Sequence, residues 1–313
     1  MSYRGLSVAL TVPCYNEEAA IAKVIRDFRS VMPGIEIYVF DNHSTDRTAE
    51  VARAEQARVI DVPLKGKGNV VRRMFADVDS DIYVMVDGDA TYDAPSLPKM
   101  IDKLIDEHLD MVVGCRQASA EVAGEAYRSG HQWGNRMLTQ STVNIFGGGF
   151  TDMLSGYRVF SKRYVKSFPA LSHGFEIETE LTVHALELRM PYGEVMTPYY
   201  ARPEGSESKL STYRDGFRIL GTIMRLYVRE RPFSFYGTWG ALLALLAIMI
   251  SVPLFVEYFR SGMVPRFPTA ILSASMMVCA MLSVTCGLIL DNVTTGRHET
   301  KRLAYLNIPF KTP

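Results

Sequence analysis

Through the first third of the chain, short apolar runs alternate with segments whose apolar residues recur every three to four positions. The runs predict strands at Leu6–Val12, Glu36–Phe40, Ala57–Ile60, Ile82–Val86 and Met111–Gly114. The intervening segments predict helices at Glu17–Val31, Asp46–Glu55, Lys67–Asp77 and Ser96–Glu107. Strand–helix alternation at this pitch implies an α/β fold, a mostly parallel sheet with helices on both faces. In such sheets ligands bind beyond the carboxyl ends of the strands. The alternation breaks near Tyr127. A helix is expected over Arg128–Ile145, ended by Gly147-Gly148-Gly149, then a helix over Glu176–Leu188 and a strand over Glu194–Tyr200.

The last third differs. Pro232–Val256 and Phe267–Leu290 carry no charge, and each exceeds the roughly 20 residues that cross a hydrocarbon core. Pro253 falls inside the first, where it would kink a helix near its end. Tyr236 and Trp239 sit where interfacial aromatics are found. The link Glu257–Arg266 is short, so a two-helix transmembrane hairpin is expected. Before it, Ser211–Arg231 mixes apolar residues with five arginines, a pattern suited to an amphipathic helix lying in the headgroup layer. The expected organisation is an α/β domain over 1–210, an interfacial helix over 211–231, membrane helices over 232–290 and a tail over 291–313. Arginines and lysines flanking the hairpin place both termini and the α/β domain in the cytoplasm by the positive-inside rule. Leu6–Val12, ended by Pro13, reads as a buried strand rather than a signal peptide.

Composition adds mainly exclusions. The 313 residues carry a formal net charge of zero, which argues against bulk nucleic-acid binding. Cys14, Cys115, Cys279 and Cys286 show neither metal-ligand spacing nor a disulfide framework. Cys279 and Cys286 read as neighbours on one helix face.

Four polar clusters fall at expected strand ends. In Val12-Pro13-Cys14-Tyr15-Asn16-Glu17-Glu18, proline stops a strand and a helix opens, offering free N–H groups to an anion. Asp41-Asn42-His43-Ser44-Thr45-Asp46 can hold a base or ribose, with Asp46 read as a helix cap. In Lys65-Gly66-Lys67-Gly68-Asn69, glycines let the backbone approach a ligand and lysines supply charge for phosphate. Val86-Asp87-Gly88-Asp89 brings two carboxylates to a strand exit, where a hard divalent cation, Mg2+ or Mn2+, prefers oxygen ligands. A lone Asp-x-Asp is common; the order and strand-end placement of all four clusters are more specific.

With Gly114-Cys115-Arg116, Asp152–Arg158 and Arg202–Leu210, these clusters resemble the family 2 glycosyltransferases of GT-A fold, in the branch of dolichol-phosphate mannose synthases and polyprenyl-phosphate glycosyltransferases. The resemblance covers Ser7 to about Leu210, and the two terminal spans match membrane-anchored members. It implies a nucleoside pocket lined by Pro13, Tyr15, Glu17 and Asp41, a phosphate-binding Lys67, a donor contact at Asp87 and a metal at Asp89. Thr91 stands where the family often has a metal-contacting Gln, and Asp93 lies just beyond. Arg116 is expected to face the donor diphosphate and the acceptor phosphate. Arg128 falls where members carry an arginine for the lipid phosphate. Asp152-x-x-Ser155-Gly156-Tyr157-Arg158 is expected near the reaction centre, and Arg202 with Lys209 on a loop closing over both substrates. Glu176, Glu178 and Glu180 are read either as a sugar contact or as a solvated acidic face.

The implied reaction is inverting transfer of a hexose or N-acetylhexosamine from a nucleotide sugar to a polyprenyl phosphate. A UDP-sugar is favoured and GDP-mannose stays open. Lipid monophosphate is already anionic, so the chief demand is to stabilise the departing diphosphate. A metal on Asp89 and cations from Arg116, Arg202 and Lys209 would meet it, with Asp152 orienting the reacting groups. Membrane-anchored relatives often self-associate, so a homo-oligomer stays open, and the sequence does not fix the oligomeric state. Two alternatives remain: a processive polysaccharide synthase, whose usual Gln-x-x-Arg-Trp the chain lacks, and a non-catalytic sugar-nucleotide-binding membrane protein.

Overall fold

The computed structural model describes residues 2–118, 129–205 and 212–312, with the backbone alone at 118, 129–136, 212–215 and 217. The first elements are β1 (Ser2–Tyr3), β2 (Leu6–Cys14), α1 (Ile21–Val31), β3 (Glu36–Asp41), α2 (Thr48–Ala54), β4 (Arg58–Asp61), α3 (Lys67–Asp77) and β5 (Ile82–Met85). Next come α4 (Leu97–Asp106), β6 (Met111–Ala118), α5 (Ser129–Phe146), β7 (Arg158–Ser161), α6 (Lys162–Ser167), α7 (Ile177–Glu187) and β8 (Tyr192–Tyr199). The chain then forms α8 (Thr212–Glu230), α9 (Pro232–Ser261) and α10 (Phe267–Leu306).

The strands form one sheet in the order β4-β3-β2-β5-β7-β6-β8, with β1 antiparallel to the start of β2. β2 to β5 run parallel, and β6 and β8 run parallel to each other. β7 runs antiparallel between β5 and β6. This strand is absent from the sequence expectation: its four residues follow directly on a polar motif and are too few to show an alternation.

Both faces of the sheet are buried, which is why its central strands read as continuous apolar runs. Along β2, Val8, Leu10 and Val12 point into a core under α1 and α4, while Ala9 points into a second core. Along β5, Ile82 and Val84 join the first core, and Tyr83 and Met85 the second, under α3, α6 and α7. Each such fully buried aliphatic or aromatic side chain contributes about 1.5–3 kcal/mol. At the end of α5, Gly147 and Gly148 take positive φ, and the Gly147 N–H closes on the Val143 carbonyl at 2.8 Å.

The fold places a topological switch between β2 and β5. β3 continues from one side of β2, and β5 lies on the other. The loops leaving β2 and β5 therefore splay apart at their carboxyl ends, making the crevice where doubly wound sheets bind ligands.

The chain divides into two compact units, Met1–Thr222 with Lys301–Pro313, and Ile223–Thr300. In the first, the C-terminal segment packs at the end of the sheet opposite the crevice, beside the starts of β5 and β6. Tyr305 donates to Asp110 at 2.8 Å, Lys311 pairs with Asp81 at 2.7 Å, and Phe310 packs against the first core. In the second unit, α9 (30 residues) and α10 (40 residues) are long and apolar enough to cross a membrane. They fit a transmembrane hairpin whose seam is made of small residues seven apart: Gly240 and Ala247 on α9, Ser273, Ala280 and Gly287 on α10. A side chain at Gly240 would meet Val284 at 2.7 Å, so glycine sets the helix separation there. Outward Leu242, Leu245, Ile248, Met249, Leu282 and Ile289 are exposed. α9 runs on through Pro253 to Ser261, so the link between the helices is shorter than the sequence suggested.

Candidate active site

The loops at the carboxyl ends of β2, β3 and β5 meet around a cavity of about 330 Å³. Its wall includes Pro13, Tyr15, Glu17, Lys65, Lys67, Asp87, Asp89, Phe175 and Arg202. One non-glycine residue at each strand exit takes a left-handed backbone: Asn16 (φ 53°), His43 (φ 61°) and Ala90 (φ 58°). Such strain persists where surrounding contacts over-determine it, commonly at sites.

The β2 exit is locked by side chains from the β3 exit. The N–H groups of Asn16, Glu17 and Glu18 donate to Ser44 Oγ (2.9 Å), Thr48 Oγ1 (2.8 Å) and Asp46 (3.1 Å). The expected free N–H groups at a helix start are thus already satisfied, and α1 begins only at Ile21. Asp46 also accepts the Thr48 N–H at 2.9 Å, as a cap does. Burial pushes its carboxyl up, but these hydrogen bonds outweigh it and hold the pKa below the ordinary value. Asp41, at the end of β3, is buried and accepts from the Ser44 hydroxyl and N–H. It stands next to the cavity rather than in its wall. Its neighbourhood shows at Cys14, whose thiol is pushed well up by burial and by the carboxylates of Glu17, Asp41, Asp87 and Asp89.

Asn42 ties the lysine-bearing loop to the β3 exit. Its amide donates to the carbonyls of Val62 (3.0 Å) and Leu64 (2.8 Å), and its oxygen accepts the Gly66 N–H (2.7 Å). Glycine is required in this loop for packing, not for approach to a ligand. A Cβ at Gly66 would lie 2.1 Å from the His173 carbonyl oxygen, and one at Gly68 2.2 Å from that of Ser172. Lys65 lies over the Tyr15 ring at 5.3 Å. Lys67 turns inward, 2.5 Å from Asp87 and 2.6 Å from Glu178. Burial lowers the Lys67 pKa, but the two carboxylates outweigh it and hold the ammonium above its ordinary value.

Asp89 is buried and paired with Arg202 at 2.6 Å. Thr91, in the position where a Gln was expected, donates its hydroxyl to Asp89 at 2.6 Å. Asp93 accepts from the hydroxyls of Ser96 (2.6 Å) and Tyr200 (2.9 Å). Burial and the adjacent Asp87 raise the Asp89 carboxyl pKa against the opposing pull of Arg202. A hard dication beside these oxygens would relieve that repulsion, so the donor set at Asp89 fits Mg2+ or Mn2+.

The Asp152–Arg158 segment divides in its roles. A Cβ at Gly156 would meet Asp87 Oδ2 at 2.5 Å, so glycine lets this loop close on the Asp-x-Asp strand exit. Asp152 forms a two-pronged pair with Arg116, both contacts at 2.7 Å, the geometry that fixes a guanidinium most firmly. Neither residue belongs to the cavity wall. Arg158 is 0% exposed and donates to the carbonyls of Met153, Ser155 and Glu178. It joins this loop to α7 from inside the core, not at the reaction centre. The three glutamates do not form a solvated face. Glu178 and Glu180 are buried, and Glu180 accepts the N–H groups of Leu171 (3.0 Å) and Ser172 (2.7 Å). Arg128 and Lys209 lie outside the described residues. Phe175 and Val70, in the cavity wall, carry no sequence signal beyond being apolar.

The profile of glycosyl transferase family 2 matches residues 10–168. The glycosyltransferase AglJ of Haloferax volcanii is 35% identical over 254 residues, covering 80% of this chain and 82% of that protein. A dolichyl-phosphate hexose transferase of the same organism is 29% identical over 225 residues, covering 72% and 95%. Among solved structures, glucosyl-3-phosphoglycerate synthase from Mycobacterium tuberculosis, in complex with Mn2+, UDP-glucose and phosphoglyceric acid, aligns with a TM-score of 0.56 at 23% identity. That alignment covers 71% of this chain and 80% of the synthase. Profile, relatives and sheet topology agree: the chain belongs to glycosyltransferase family 2 and is a glycosyltransferase of GT-A fold.

Proposed function

We propose that the enzyme transfers a hexose or N-acetylhexosamine from a nucleotide sugar to a polyprenyl phosphate, with inversion at the anomeric carbon. The observation that carries this reading is the strand-exit cavity of about 330 Å³, where Asp87, Asp89, Lys67 and Arg202 converge on a family 2 fold. The dolichyl-phosphate hexose transferase relative and the apolar hairpin support a lipid acceptor at the bilayer. The UDP-glucose and Mn2+ held by the M. tuberculosis synthase support a UDP-sugar donor and a divalent cation.

In this reading Pro13, Tyr15, Glu17 and Asp41 surround the nucleoside, and Asp87 accepts from a donor hydroxyl. Asp89 would hold Mg2+ or Mn2+, which would offset the charge of the leaving diphosphate. Arg202 now neutralises Asp89 and would turn to the diphosphate when that carboxylate is otherwise engaged. Asp152 keeps the Arg116 guanidinium in one orientation for the two phosphate groups that must approach each other. Such preorganised charge is the largest contribution available where the nucleophile needs no strong base, and holding both reactants adds an orientation effect. Arg128 and Lys209 are proposed to add cations for the lipid phosphate and the diphosphate. The domain over 1–210 and both termini are assigned to the cytoplasm from the flanking basic residues.

The test is a panel of UDP-glucose, UDP-N-acetylglucosamine and GDP-mannose with polyprenyl phosphate and Mn2+, on full-length protein in nanodiscs. A lipid-linked sugar from one donor, lost on chelation, is expected. Donor hydrolysis without lipid product from any of the three would overturn the acceptor assignment.

A further inference from the structure

The lysine at the cavity wall is held by two carboxylates where one would neutralise it. The Lys67 ammonium has three N–H bonds. Asp87 Oδ1 accepts one at 2.5 Å, Glu178 Oε1 lies 2.6 Å from the nitrogen as a second counter-charge, and no third partner lies among the described residues. Lys67 lines the cavity. Glu178 stands behind it in the first turn of α7 and is 4% exposed. Its second oxygen, Oε2, is buried without a hydrogen-bond partner.

This arrangement is expensive for a structural ion pair. A buried acceptor with no donor costs folding free energy, and native interiors hold few of them. Glu180, two residues further along α7, shows the economical alternative: both its oxygens accept backbone N–H groups. The backbone of Glu178 is also pinned, because Arg158 donates to its carbonyl at 3.2 Å. A costly carboxylate on a fixed backbone is the pattern of a group retained for function.

We propose that Glu178 is a positioning residue for the nucleotide-sugar donor, holding Lys67 so that its unspent N–H faces the cavity. The inference rests on the donor-site reading above. When a donor hydroxyl engages Asp87, that carboxylate loosens its hold on Lys67. Glu178 is then the remaining anchor, and it keeps the ammonium in the wall at the position of a donor oxygen. Asp87 and Glu178 thus divide two tasks that Asp87 alone could perform only in the empty site.

The experiment compares wild type, Glu178→Gln, Lys67→Ala and the double variant, all full-length in nanodiscs. Binding of UDP-glucose, UDP-N-acetylglucosamine and GDP-mannose is measured calorimetrically with Mn2+, and the donor that binds wild type most tightly is carried through steady-state kinetics and thermal unfolding. Glu178→Gln should weaken donor binding about tenfold, the scale of one charge-assisted hydrogen bond. Donor KM should rise more than kcat falls. The melting temperature should stay level or rise, since the unpartnered Oε2 is removed while Lys67 keeps Asp87 as counter-charge. In the Lys67→Ala background the same substitution should have no further effect on donor binding. A lower melting temperature with unchanged donor affinity, or an undiminished effect without Lys67, would overturn the proposal alone. Failure of wild type to bind any of the three donors would overturn the donor-site reading and the proposal with it.

Discussion

Buried carboxylates sit at both ends of the sheet, and the two ends satisfy them differently. At the end away from the cavity, Asp110 is 0% exposed. It accepts from Arg163 (2.5 and 2.9 Å), Ser161 (2.6 Å) and Tyr305 (2.8 Å). The Arg163 guanidinium is covered by the rings of Tyr305 and Phe310, at 4.6 and 4.9 Å. Each charge is paired and each oxygen accepts. At the cavity end, Lys67 keeps one donor unspent, Glu178 keeps one acceptor unspent, and Asp87 and Asp89 repel each other. The same residue types therefore make a fastening at one end and line the proposed donor site at the other. What separates them is hydrogen-bonding capacity that no protein group among the described residues takes up.

The largest expected effect tests the fastening. Asp110→Ala leaves Arg163 largely buried without its counter-charge, a loss of about 3–5 kcal/mol. Thermal unfolding in detergent should move down by many degrees, and trypsin should reach Lys301 and Arg302 sooner. Transfer per folded molecule should not change. A loss of turnover without a loss of stability would erase the contrast between the ends.

Asp89→Asn tests the other end and should behave in the opposite way. Transfer should fall about 100-fold or more, the scale seen when one electrostatic partner of a developing charge is removed. The melting temperature should hold or rise, because the carboxyl that burial and Asp87 disfavour is gone. Chelation should silence wild type, and Mn2+ should restore wild type but not the variant.

Gly68→Ala belongs to both sides of the comparison and should give an intermediate effect. The new methyl would lie 2.2 Å from the Ser172 carbonyl oxygen, which is backbone and cannot swing aside. Overpacking of this kind costs about 1–3 kcal/mol. The loop bearing Lys67 must shift to relieve it, so donor affinity should fall together with stability, as read by calorimetry and thermal unfolding. A variant that loses stability and keeps donor affinity would show that Lys67 tolerates displacement.

How much of this was legible in the sequence follows from how local each signal is. β2 and β5 announce themselves because both their faces are buried, and α3 was placed at Lys67–Asp77 from periodicity alone. The carboxylates at Asp87 and Asp89 and the lysine at Lys67 follow from their places at strand ends. The burial of Arg158 could not be read from the sequence, because only the fold brings together the carbonyls that accept from it. Glu178 and Glu180 were indistinguishable for the same reason: their partners, Lys67 and the Leu171–Ser172 backbone, come from other loops. The C-terminal fastening was invisible, since Tyr305 and Asp110 are 195 positions apart and neither sits in a pattern.

Tyr305→Phe should give the smallest effect, and it probes how complete the fastening is. The substitution removes one donor from Asp110 and keeps the ring over Arg163. Asp110 retains Ser161 and both Arg163 contacts, so no buried charge is stranded. The expected loss is then about 1 kcal/mol, that of one hydrogen bond whose acceptor keeps other partners. Tyr305→Ala removes the ring as well and should cost about 1 kcal/mol more, from the lost cation–π contact and the apolar area. Thermal unfolding of the two variants, each also made with Asp110→Ala, separates the contributions. In that background Tyr305→Phe should be nearly neutral, because the oxygen that accepted its hydrogen bond is gone. If Tyr305→Phe costs as much there as in wild type, its hydroxyl stabilises the tail through some other group, and Asp110 is not the centre of the fastening.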